Sequence, residues 1–107
     1  MDLAKKKCVP CEAGTPPLGA DAIAELAKNI PDWKIVENKN LLREFKFKDF
    51  KGSMDFVIKV AELAESEGHH PDICIFYNVV RLELSTHAIG GLSENDFILA
   101  AKINMLH

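Results

Sequence analysis

His69-His70-Pro71 is preceded one helical turn earlier by Glu65 and followed by Tyr77, His87 and Asp96. Three of the chain's 4 histidines, two carboxylates and the single tyrosine therefore fall within one short stretch. Imidazole is the side chain that best accepts and donates protons near neutral pH, so this set points first to general acid/base chemistry.

Other readings of the same residues stay open. Adjacent histidines project in different directions, so His69 and His70 seldom ligate one ion together. Either of them with His87 and Glu65 makes a possible zinc set, but no helical His-x-x-x-His element accompanies them. Cys74 lies in an apolar run and reads as core, and no serine stands in a nucleophile-elbow context. Asp96 falls three residues after Ser93, where a capping-box carboxylate belongs, so capping and catalysis both stand for it. Glu65 shares its helix with Glu62 and Glu67 and also fits a surface carboxylate. Tyr77 fits a sheet aromatic, and Pro71 fixes the chain's entry into a strand.

The elements that position these residues follow from periodicity. Residues 1–18 are polar, contain Gly14-Thr15-Pro16-Pro17, and read as a flexible leader to a domain over 19–107. Ala22, Ile23, Leu26, Ala27 and Ile30 recur at helical spacing until Pro31. Trp33 to Glu37 and Leu41 to Lys48 read as strands around Asn38-Lys39-Asn40. Asp49 is placed to cap a long helix that ends at Gly68, with Phe50, Met54, Val57, Ala61 and Ala64 as its apolar stripe, widened by Phe56, Val60 and Leu63. Asp72 to Tyr77 and Val79 to Thr86 form a second strand pair bending at Asn78. Ser93 opens a last helix carrying Phe97, Ile98, Ala101 and Met105.

The order α-β-β-α-β-β-α implies a single-domain α+β fold, a four-stranded antiparallel sheet with its helices on one face. With Asn78 at the centre of the hairpin, His69 falls opposite His87 and Ile75 opposite Arg81, and opposed Cβ atoms lie ~5 Å apart. A slip of one residue leaves the two histidines neighbours. Glu65 enters the same corner from the end of the long helix, and Asp96 from the start of the last one. A pocket is expected where these ends meet.

Composition narrows the function further. The chain has 107 residues, 48% of them hydrophobic, and a net charge of −3, which disfavours general binding to nucleic acid or anionic membranes. No apolar run approaches the ~20 residues of a membrane span, and no signal peptide is evident, so a cytoplasmic location is expected. Three cysteines cannot all pair within one chain, which agrees with a reducing compartment. Cys8-Val9-Pro10-Cys11 has the spacing of half a zinc knuckle or of a redox pair, but it lacks the further ligands of the first and the strand-to-helix setting of the second. A flexible tail with two thiols is the plainer reading.

Taken together, Glu65-x-x-x-His69-His70-Pro71, Tyr77, His87 and Asp96 resemble the signature of the pterin-4a-carbinolamine dehydratases. Phe45-Lys46-Phe47-Lys48-Asp49-Phe50 resembles that family's entry to its long helix. Leu84-Ser85-Thr86-His87 with Gly91-Leu92-Ser93-Glu94-x-Asp96 resembles its last strand, loop and final helix. The resemblance runs over residues 19 to 105 and implies loss of water from 4a-hydroxytetrahydropterin to give quinonoid dihydropterin, recycling the cofactor of aromatic amino acid hydroxylases. It implies no metal and no organic cofactor. Carried over residue by residue, it makes His69 and His87 the proton-transfer pair, His69 as base and His87 as acid, with His70 orienting the pterin. Glu65 and Asp96 would position imidazoles or bind pterin nitrogens, and Thr86 would line the pocket, with Pro71 and Tyr77 beside it. The expected partners are the pterin, further copies of the chain as dimer or tetramer, and a hydroxylase of the same pathway. A binding or dimerisation role, as in the family's transcription-coactivator members, is the alternative.

Overall fold

Two hairpins make the sheet, and one long helix connects them. In the computed structural model, which describes residues 2–10 and 14–107, helix α1 (Ala20–Ala27) leads into β1 (Lys34–Val36) and β2 (Asn40–Lys46). Helix α2 (Phe50–Glu67) crosses to β3 (Asp72–Phe76) and β4 (Val79–Leu84), and α3 (Glu94–Asn104) closes the fold. The strands lie in the order β1-β2-β4-β3, each pair antiparallel. This is the α+β arrangement expected from the sequence, with element ends shifted by a residue or two.

Alternation decides which face of the sheet is covered. Val80, Leu82 and Leu84 of β4 and Leu41 and Phe45 of β2 are buried toward the helices. Arg81 lies on the other face and forms an ion pair with Glu44 of β2 at 3.2 Å. Phe45 meets Phe56 of α2 edge-on with ring centroids 4.7 Å apart. At the far end, Asn104 Oδ1 accepts from Trp33 Nε1 at 2.8 Å and from an Arg43 guanidinium nitrogen at 2.6 Å, fastening α3 to the first hairpin.

Helix α2 begins and ends where its sequence says it should. The Asp49 carboxylate accepts the Gly52 amide at 2.9 Å, and Gly68 stops the helix at φ +66°, a conformation glycine adopts without a Cβ penalty. Its packed face falls within the expected one, centred on the row of Phe56, Val60 and Ala64 rather than on that of Phe50. Ser53, Phe56, Val60 and Ala64 are the buried line, whereas Phe50 is about half exposed. The two lines are neighbouring rows on one helix, and contact with the sheet selects the row that carries Ser53.

Helix α3 departs from expectation. Phe97, Ile98, Leu99, Ala100 and Ile103 are all buried, because the sheet side, α1, α2 and the leader surround it. Met105, expected on its apolar face, is exposed. The leader is not a free tail over its described residues. Leu3, only 2% exposed, sits in the core cluster, and a short 3₁₀ turn over Leu3–Lys5 packs on α3. Cys11 lies outside the described residues.

The second hairpin turns one residue earlier than expected. Ile75 pairs with Val80 rather than Arg81, and Phe76 with Val79, leaving Tyr77-Asn78 as a two-residue turn with Tyr77 at φ +54°. The ladder ends at Asp72 opposite Glu83. Extended past that end, the register sets His69 level with Thr86 rather than His87. A loop, not strand pairing, brings the two histidines together.

Candidate active site

Gly68 ends α2 and delivers His69 and His70 in succession. Beyond β4, Thr86 bridges to Gly91, its amide donating to the Gly91 carbonyl at 2.8 Å, and the loop between them carries His87 in a 3₁₀ turn over His87–Ile89. The cleft between these segments, about 270 Å³, is lined by His69, His70, His87 and Thr86 and also by Val9, Pro10 and Asn95. It is small and mixed in character, of a size for one small molecule.

The two adjacent histidines use different carboxylates. His69 Nε2 lies 2.6 Å from Asp96 Oδ1, and His70 Nε2 lies 2.7 Å from Glu65 Oε1. The first pair is enclosed, with the Asp96 side chain fully buried and the His69 ring 12% exposed. The second stands in solvent. Among the described residues, no three His, Cys, Asp or Glu side chains have the geometry of a metal site.

Hydrogen-bond directions around Asp96 follow from its donors. Oδ2 accepts the Ser93 amide at 2.9 Å and the Thr86 hydroxyl at 2.8 Å. The single Thr86 proton is committed there, so its 2.7 Å contact with the Ser93 hydroxyl is one that Thr86 accepts. A carboxylate that collects an N–H and an O–H on one oxygen is an acceptor toward His69 as well. His69 therefore carries a proton on Nε2, and in the neutral ring Nδ1 is the basic nitrogen. Asp96 thus resolves the capping question in both directions: it closes the capping box of α3 and it orients His69.

Of the residues expected at the site, His69, His70, His87 and Thr86 line the cleft, with Asp96 and Glu65 directly behind the first two. Pro71 and Tyr77 are not among the lining residues. Tyr77, 64% exposed, sits at the opposite end of the hairpin and stacks on Phe50 at 6.4 Å. Sequence reasoning missed Val9, Pro10 and Asn95. Nothing local marks the first two, since only the docking of the leader brings them to the cleft. Asn95 stands between the two carboxylates of the first turn of α3, and a polar residue there is an ordinary helix start.

An enclosed Asp–His pair and two further histidines on one small cleft, beside an α+β sheet, define a site equipped for acid/base chemistry. The sequence profile of the family Pterin 4 alpha carbinolamine dehydratase matches residues 16–106. A Rubrobacter xylanophilus protein provisionally named pterin-4-alpha-carbinolamine dehydratase is 45% identical over 98% of this chain and 98% of its own. A Nitrosomonas eutropha protein of the same provisional name is 49% identical over 98% of this chain and 93% of its own. The crystal structure of a transcriptional coactivator/pterin dehydratase from Brucella melitensis superposes with a TM-score of 0.79 at 33% identity, covering 84% of this chain and 97% of that one. The chain belongs to the pterin-4α-carbinolamine dehydratase family. Among the described residues, no helix is long and apolar enough to cross a membrane.

Proposed function

We propose that the cleft dehydrates a 4a-hydroxytetrahydropterin to the quinonoid dihydropterin, as a hydro-lyase, with His69 and His87 moving the protons. The observation that carries this reading is the shared cleft of His69, His70 and His87 with Asp96 buried behind His69. His69, its Nε2–H held by Asp96, takes the N5 proton on Nδ1. The N5 lone pair forms the N5=C4a double bond as the C4a–O bond breaks, and His87 protonates the departing hydroxyl, which leaves as water. His70, oriented by Glu65, binds the ring, and Thr86 keeps the Asp96 carboxylate in place. The base ends protonated and the acid deprotonated, so a proton returned through solvent resets the pair.

General acid/base help of this kind is worth roughly 10²–10⁴-fold, so loss of one histidine impairs turnover without abolishing it. A stopped assay with freshly generated 4a-hydroxytetrahydropterin, comparing wild type with His69→Ala, His70→Ala and His87→Ala, tests the assignment. Three variants as fast as wild type would sink it, and so would activity that depends on stoichiometric zinc.

A binding role is the second reading, because the Brucella melitensis relative carries both words, coactivator and dehydratase. It moves ahead if wild type binds a dihydropterin or a protein partner but does not turn substrate over. A homo-oligomer accords with the open sheet face, where Cys74 and Phe76 are exposed. Light scattering on the purified protein gives its state. A cytoplasmic setting, shared with a hydroxylase that supplies the carbinolamine, completes the proposal.

A further inference from the structure

The leader meets the cleft at a point that acid/base chemistry does not require. Val9 and Pro10 line the same cleft as the three histidines, and Val9 is 65% exposed although the residues before it are tied down. Val9 and Pro10 give this polar cleft an apolar stretch of lining.

The wall is held by a specific latch. Asn95 receives the Val9 amide on Oδ1 at 2.9 Å and returns Nδ2–H to the Val9 carbonyl at 2.5 Å, pairing with the peptide from both sides. The Cys8 amide donates to Glu67 Oε1 at 2.9 Å, and the Cys8 thiol to the Asn95 carbonyl at 3.6 Å. Glu67 is held in turn by Lys102 at 3.4 Å, and Lys6 reaches Glu94 at 2.6 Å. Leu3 anchors the segment from beneath. All of this stops at Val9, whose side chain takes no part in the latch.

We propose that Val9 and Pro10 form the apolar wall on which the flat pterin ring packs, and that Asn95 is the positioning residue that fixes this wall in the cleft of the histidines. The inference rests on the dehydratase reading of the cleft. In a cleft of about 270 Å³, a bicyclic ring held by His69 and His87 lies within reach of the leader residues that line it. The histidines supply the polar edge contacts, and the leader supplies the face. The leader is thereby part of the substrate site, and its residues set which ring substituents fit.

The test compares wild type, Val9→Ala, Asn95→Ala and His69→Ala by steady-state kinetics, with melting curves alongside. Trimming one apolar contact is expected to raise KM in Val9→Ala about three- to tenfold, with kcat within about twofold of wild type. Its melting temperature should not move, because the side chain is exposed and unlatched. Asn95→Ala should show the same KM rise, together with faster hydrogen exchange at the Val9 amide. His69→Ala should lose kcat instead. If wild type and His69→Ala behave as expected while both leader-side variants keep wild-type KM, the wall is wrong and the catalytic reading survives. If wild type neither turns over nor binds a dihydropterin, the dehydratase reading fails and takes the wall with it.

Discussion

His69 Nε2 and Asp96 Oδ1 lie 2.6 Å apart, and the same carboxylate closes the first turn of α3 by accepting the Ser93 amide. One buried group thus holds an imidazole and starts a helix.

Replacing it without changing its shape separates charge from packing. Asp96→Asn presents an amide N–H toward donors that already point inward. We expect stability to fall by about 1–3 kcal/mol, since buried donors lose their acceptor. Turnover should fall about tenfold or more as the His69 tautomer is no longer enforced. Urea titration and the dehydration assay on one preparation read both. Loss of stability with full activity would separate the cap from the chemistry.

Gly68 offers a purely conformational probe. It sits at φ +66°, and a Cβ built there meets nothing within 4 Å. Gly68→Ala should therefore cost about 1 kcal/mol through the backbone alone. Because His69 and His70 follow directly, kcat should drop along with the melting temperature. A variant as stable as wild type would show that the turn tolerates a side chain.

The latch carries a pH signature. The Glu67 carboxyl is held below its ordinary value of 4.5, first by the Cys8 amide and then by Lys102, against the cost of its burial. A lowered folded value means that the ionised group stabilises the fold above pH 4.5 and ceases to do so as pH falls through the lower folded value. Glu67→Gln should melt below wild type at neutral pH, and the gap should close as acid takes the solution below 4.5 and through the lowered folded value. A gap that persists in acid would point to packing rather than charge.

Cys8 should be a slow thiol. Burial, and next the neighbouring Glu67, push it up to about 12, so almost none is thiolate at neutral pH. Under native conditions at pH 8, an alkylating reagent should modify exposed Cys74 and leave Cys8 intact until denaturant is added. Peptide mass mapping distinguishes the two. Rapid native labelling of Cys8 would mean that the leader opens freely.

Much of this architecture was legible in the residues, for reasons that are local. Asp49 and Gly68 mark the ends of α2 by capping chemistry, and the alternation of Val80, Leu82 and Leu84 declares the buried face of β4. The positions of His69, His70, His87 and Asp96 at element ends were likewise readable, because caps and turns put them there. What escaped depends on long-range contact. Helix α3 is enclosed on nearly every side, so no polar face marks its orientation. The hairpin register hinged on whether Tyr77 or Asn78 takes the turn, and tyrosine at positive φ is not what propensity favours. The leader carries no hydrophobic period, and its docking relies on Leu3 and on Asn95, far away in the chain.

That distance has a kinetic meaning. The bonds between Val9 and Asn95 join residues 86 apart, so their formation closes a loop of nearly the whole chain. Loop-closure entropy makes such a contact late to form, after the elements that it joins. The leader side of the cleft is therefore the last part of it to be completed as the chain folds.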